Sequence, residues 1–89
     1  MTRYRQKDGV SATEVDDDIF LVEPQSEEVF HLNPLAAGIW RALVEPASRE
    51  EVVALLRAAF PDADRATIAR DAGAILDRLQ AEGFVVSVP

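Results

Sequence analysis

His31 is the chain's single histidine, and it lies two residues before the Asn-Pro break in Val29-Phe30-His31-Leu32-Asn33-Pro34-Leu35-Ala36-Ala37-Gly38-Ile39-Trp40. Its imidazole is the one side chain that titrates near neutrality by default, so acid–base chemistry would begin there. Such chemistry needs a positioned nucleophile or a second acid–base group, and no G-x-S-x-G, S-x-x-K or H-E-x-x-H pattern is present. Asp16-Asp17-Asp18 are the next residues with chemical potential. They lack the D-x-D-x-D-G spacing and the distant bidentate Glu of a calcium loop, and adjacent aspartates on a turn cannot all face one ion. The glycines at 9, 38, 73 and 83 are isolated and build no phosphate-binding loop. There is no cysteine, which removes disulfides, thiolate metal sites and thiol catalysis together. We therefore expect no catalytic residue, no metal site and no cofactor, hence no enzyme. What is left around His31 is backbone, and the elements that carry it decide whether that backbone is functional.

The 89 residues are 48% hydrophobic and 28% charged, which suits one folded domain and not a disordered chain. Charge is uneven. Arg3, Arg5 and Lys7 against Asp8 leave residues 1–9 at +2, so residues 10–89 carry −9 of the −7 total. We read 1–9 as a polar N-terminal tail and 10–89 as the folded domain. No Lys or Arg occurs between Lys7 and Arg41, while Glu14, Asp16, Asp17, Asp18, Glu23, Glu27 and Glu28 all do. Such a surface repels phosphate backbones, whose binding is driven by Lys and Arg. The first nine residues lack the apolar centre of a secretory signal, and the apolar runs fall far short of a bilayer span of about 20 residues. The expectation is a cytoplasmic protein with no membrane and no nucleic-acid partner.

The first half reads as short strands: Val10–Val15, Ile19–Val22 and Glu28–Leu32, separated by the Asp16-Asp17-Asp18 and Pro24-Gln25-Ser26-Glu27 turns. Short connections predict an antiparallel meander with the third strand at an edge. Asn33 then predicts an N-cap with Pro34 at the first helical position, where proline has no donor to lose. Leu35, Ile39 and Leu43, with Ala36 and Trp40 beside them, form the apolar stripe of a helix ending near Val44. Ser48-Arg49-Glu50-Glu51 is a capping box for a second helix with Val52, Leu55, Leu56, Ala59 and Phe60 inward. Asp62 or Asp64 caps a third, using Ile68, Ala72, Ile75, Leu76 and Leu79, which reaches Glu82 before Gly83 stops it. Phe84–Val88 reads as a last short strand. The class is α+β, a three-stranded antiparallel sheet followed by three helices. The tight Pro61-Asp62-Ala63-Asp64 link makes the last two helices a helix-turn-helix pair.

Trp40 and Phe60 sit at helical spacing with Leu43 and Leu56, which assigns them to the core and not to a ligand-stacking pair. The helix-turn-helix pair raises a DNA-binding transcription regulator as the rival function. Against it, the third helix interleaves Arg65, Arg70 and Arg78 with Asp71, Asp77 and Glu82, so it would bring acid to a groove as often as base. The sheet edge is the better candidate. A third strand with unpaired backbone groups, beside a helix flank carrying Asp71, Ala74, Ile75 and Arg78, makes a groove for an extended peptide added as a further strand.

The stretch from Val29 through "VFHLNPLAAGIWRALVEPASREEVVALLRAAF" to "ILDRLQAEGFV" resembles the PqqD family, peptide chaperones also called RiPP recognition elements. The resemblance covers about residues 10–86, and Leu32-Asn33-Pro34 followed by Ala37-Gly38-Ile39-Trp40 is its most specific part. It implies a winged helix-turn-helix fold. It also implies a non-enzymatic partner that binds the leader segment of a ribosomally made precursor peptide between the third strand and third helix. That partner presents the peptide to a modifying enzyme, often a radical S-adenosylmethionine protein, in pathways such as pyrroloquinoline quinone biosynthesis or lasso-peptide maturation. On this chain the strand wall would be Val29, Phe30, His31 and Leu32, facing Asp71, Ala74, Ile75 and Arg78.

Overall fold

The computed structural model describes residues 2–89. Three strands form the expected meander: β2 (Ser11–Val15), β3 (Asp18–Val22) and β4 (Val29–Leu32) follow β1 (Arg3–Gln6), and the sheet order is β2-β3-β4. Asp18 belongs to β3 and the hairpin turns on Asp16 and Asp17 alone, with Val15 paired to Asp18. Asp16 takes a left-handed φ of 56°, a conformation that a short side chain able to bond its own backbone tolerates best. β4 pairs with β3 in the register Ile19–Leu32, Phe20–His31, Leu21–Phe30 and Val22–Val29. Ile19, Leu21 and Leu32 point inward and are essentially unexposed, whereas Val29 and His31 face out, as the two-residue period of a strand requires.

The helices begin where their caps place them. Asn33 Oδ1 accepts from the Ala36 N–H at 3.0 Å, and Pro34 opens α1 (Pro34–Ala42). Ser48 and Glu51 exchange hydrogen bonds of 3.1 and 2.9 Å as a complete capping box at the start of α2 (Arg49–Ala59). Of the two candidate caps for α3 (Arg65–Ala81), Asp64 holds the position and accepts from the Thr67 N–H at 2.9 Å. Gly83, at φ 84°, ends α3 in the left-handed conformation that a side chain would strain. Gly38 has another reason. A Cβ there would stand 3.1 Å from Leu56 Cδ2, so glycine lets α1 and α2 approach closely.

The core between the helices and both sheets contains Ile39, Leu43, Val52, Leu56, Ile68, Leu76, Leu79 and Phe84, with Trp40 buried among them. Phe60 is half-buried against it.

Residues 3–6 are not a tail, which corrects the reading of residues 1–9. They form β1, the middle strand of a second antiparallel sheet, order β5-β1-β6, between β5 (Ala47–Ser48) and β6 (Val85–Val88). Only Tyr4 contributes an apolar side chain, and it is buried. The segment is held mainly by backbone pairing, by the Gln6 N–H to Leu43 O at 3.1 Å and by the Gln6 amide to Trp40 O at 2.8 Å. Ladder bonds of that kind leave almost no hydrophobic pattern in a sequence.

Candidate functional site

Because β6 pairs with β1, it does not reach β4, and β4 has a ladder partner on one side only among the described residues. The phase of the free side follows from one bond. The Glu23 N–H donates to Glu28 O at 3.0 Å, which makes positions 23 and 28 a hydrogen-bonded pair at the mouth of the β3–β4 ladder. Antiparallel ladders alternate, so Phe30 and Leu32 use their N–H and C=O toward β3. The N–H and C=O of Val29 and His31 are directed to the vacant side. His31 is thus placed to act through its main chain.

Against that edge lies a cavity of about 250 Å³ lined by Phe30, His31, Asn33, Ala36, Ile75 and Arg78. β4 supplies the Phe30 ring, which packs on the buried Phe84 ring at 5.4 Å between centroids, and α3 supplies Ile75 and Arg78 one turn apart. The Arg78 guanidinium carbon lies 5.0 Å from the Phe30 ring centroid, a cation–π contact that ties the two walls. The structure therefore brings together Phe30, His31, Ile75 and Arg78 of the expected eight residues. Leu32 is fully buried and its side chain belongs to the core. Val29 projects outward at 65% exposure. Ala74 is exposed and Asp71 half-buried on α3, and neither lines the cavity; Asp71 faces Arg70 at 3.6 Å. Asn33 and Ala36 complete the lining and were not among the expected site residues, although both follow β4 directly in the sequence and Asn33 already announced itself as a cap.

The imidazole of His31 is on the outer face, with Nε2 2.7 Å from Asp18 Oδ2 and its ring 4.9 Å from that of Phe20. It braces β4 against β3. Among the described residues no group of three or more Asp, Glu or His side chains is arranged to hold a metal ion, and no helix is long and apolar enough to cross a membrane. The turn that delivers β4 is built on a buried carboxylate. Glu23, 5% exposed, accepts from the Ser26 N–H at 2.7 Å, the Lys7 ammonium at 3.0 Å and the Gln25 N–H at 2.9 Å. These donors, Ser26 first and Lys7 next, lower its pKa from 4.5 to about 2.

Fold and site together define a small α+β domain with a helix-turn-helix pair and a vacant strand edge walled by its last helix. The family model of Coenzyme PQQ synthesis protein D (PqqD) matches residues 18–85, a span that contains every residue of the cavity lining. The chain belongs to the PqqD family. Two solved structures share its fold. TbiB1 in complex with the TbiA(beta) leader peptide is 28% identical, over 91% of this chain and 93% of that one, with a TM-score of 0.79. A lasso peptide synthetase B1 complexed with the leader peptide is 25% identical, over 93% of this chain and 96% of that one, with a TM-score of 0.77. No curated protein matches the chain. The α+β class read from the sequence is the class found, with a second small sheet added.

Proposed function

We propose that this protein is a non-enzymatic chaperone that binds the leader segment of a ribosomally synthesised precursor peptide as a strand added to β4. It then presents that peptide to a modifying enzyme, such as a radical S-adenosylmethionine protein. The observation that carries the proposal is the outward backbone of Val29 and His31 beside the Phe30–Arg78 cavity. Both structural relatives are complexes with leader peptides, which supports the same reading. The family description names coenzyme synthesis and one relative names a lasso peptide, so the proposal stands on what the two have in common, a leader peptide. Main-chain bonds supply affinity that tolerates sequence variation, and the cavity supplies selectivity. Neither the family nor the relatives point to DNA, and α3 sets Asp71, Asp77 and Glu82 among its arginines.

The two prolines that would probe β4 are not equivalent. His31→Pro deletes a donor directed at the guest and is tolerated by an edge strand, so it should fold and bind linear peptides about tenfold or more weakly. Phe30→Pro removes a donor used toward β3 and should destabilise the sheet itself. His31→Ala, which loses the imidazole but keeps the N–H, should stay within about twofold of the parent. The probes are linear peptides selected by the parent protein from a displayed random library, with binding read by fluorescence anisotropy. Full-strength binding to a well-folded His31→Pro variant rejects strand addition at β4.

A further inference from the structure

Arg78 is the one cation in the cavity lining, and unlike half of the chain's arginines it has no carboxylate partner; among the described residues Arg3, Arg57 and Arg65 also lack one but lie outside the lining. Arg5, Arg41, Arg49 and Arg70 each meet a carboxylate, respectively Asp8 at 3.4 Å, Glu14, Asp77 at 2.8 Å and Asp71 at 3.6 Å. Arg78 meets none within 4.0 Å among the described residues, in a chain with 16 acidic residues against nine Lys and Arg. The nearest opportunity on its own helix face would be Glu82, one turn on at the C-cap, and that pair is not made. Two ordinary roles account for part of Arg78's placement, the stacking on Phe30 and a cation in the last turn of α3. Neither occupies the guanidinium's N–H donors. A guanidinium lying over a ring keeps those donors in its own plane, where a carboxylate is received in bidentate fashion.

We infer that the groove selects an extended guest carrying a large apolar side chain and, two residues away, a carboxylate. The apolar group packs on Phe30, Ile75 and Ala36, and the carboxylate binds Arg78. The inference rests on the strand-addition reading, because residues two apart share a face only in an extended segment, at a spacing of about 6.6 Å. The rest of the surface sharpens the choice. With a net charge of −7, this protein disfavours an acidic guest in general, and Arg78 is the one cation of the cavity lining that can receive a carboxylate. An acid out of register with Arg78 gains nothing, and one in register is rewarded, so the cavity's single cation sets where along β4 the guest sits.

The same displayed library of random linear peptides tests this with the full chain, Arg78→Gln and Arg78→Glu. Arg78 is exposed, so both variants should melt close to the parent. The parent should enrich Asp or Glu two positions from a large apolar residue. Arg78→Gln should keep the apolar preference and lose the acidic one, and Arg78→Glu should enrich Lys or Arg at the same place. For one parent-selected peptide, changing its acid to the amide should weaken parent binding about tenfold and leave Arg78→Gln binding unchanged. If peptides that His31→Pro fails to bind show no acidic preference, or keep it against Arg78→Glu, the carboxylate inference is overturned and strand addition stands. If no selected peptide depends on the His31 backbone, both are overturned together.

Discussion

Glu23 shows how one buried charge shapes the vacant edge of β4 through the turn that precedes it. Its carboxylate closes the turn before β4 through the Ser26 and Gln25 N–H groups and ties that turn to β1 through Lys7. A carboxyl whose folded pKa is depressed adds stability above its ordinary value and loses it as pH falls through the folded value. For Glu23 that window runs from 4.5 down to about 2. The stability difference between the parent and Glu23→Gln, measured by urea unfolding, should therefore be larger near neutral pH than near pH 3, with the parent the more stable at neutrality. A pH-independent difference would mean that the carboxylate's charge plays no part. Two of its three donors are local, the N–H groups of Ser26 and Gln25, but the third is a lysine 16 positions earlier, and nothing in the pattern Val22-Glu23-Pro24 marks that link.

Among the elements, helix starts were the most legible part of the chain. Asn33-Pro34 and the Ser48–Glu51 box announce themselves because a cap is a bond between residues two or three apart, and such bonds are written locally. Ser48→Ala should cost about 1 kcal/mol, seen as a melting temperature lower by roughly 4–8 °C. Both walls of the groove were legible for the same reason: β4 from its apolar run between turn signals, and α3 from its helical stripe. The register between them was not. Ile75 and Arg78 reach the cavity while Asp71 and Ala74 do not, although all four share one flank in a helical projection. Which turn of α3 stands beside Phe30 depends on how the helix packs, and that is a property of the assembled core.

The assembled chain is two small sheets held by one set of helices. β1 completes the second of them with four residues, Arg3-Tyr4-Arg5-Gln6, whose charge and single aromatic read as a solvated tail. Its consequence for function is indirect and strong: by pairing with β6, β1 keeps the C-terminal strand away from β4. Tyr4→Ala, which empties a buried site in the middle strand, should destabilise the protein by about 3 kcal/mol in denaturant titration. A true tail would give no measurable change. The same variant should raise the cost of closing β6 in place, so peptide binding at β4 should weaken if the released strand competes for that edge.

Legible from residue types alone were the β2-β3-β4 meander, the three helices with the starts of α1 and α2, most of the apolar core and the lack of any familiar catalytic pattern. All of these depend on residue type at short spacing, and short-range bonding and periodicity carry them. Leu55, read as inward, is instead 54% exposed. Only the tertiary structure decided that β1 exists, that β4 is left with one ladder partner, and that Arg78 stacks on Phe30 without a carboxylate of its own. Backbone pairing between segments 79–85 residues apart carries no side-chain signature, and whether a charge is paired depends on which surfaces the core brings together.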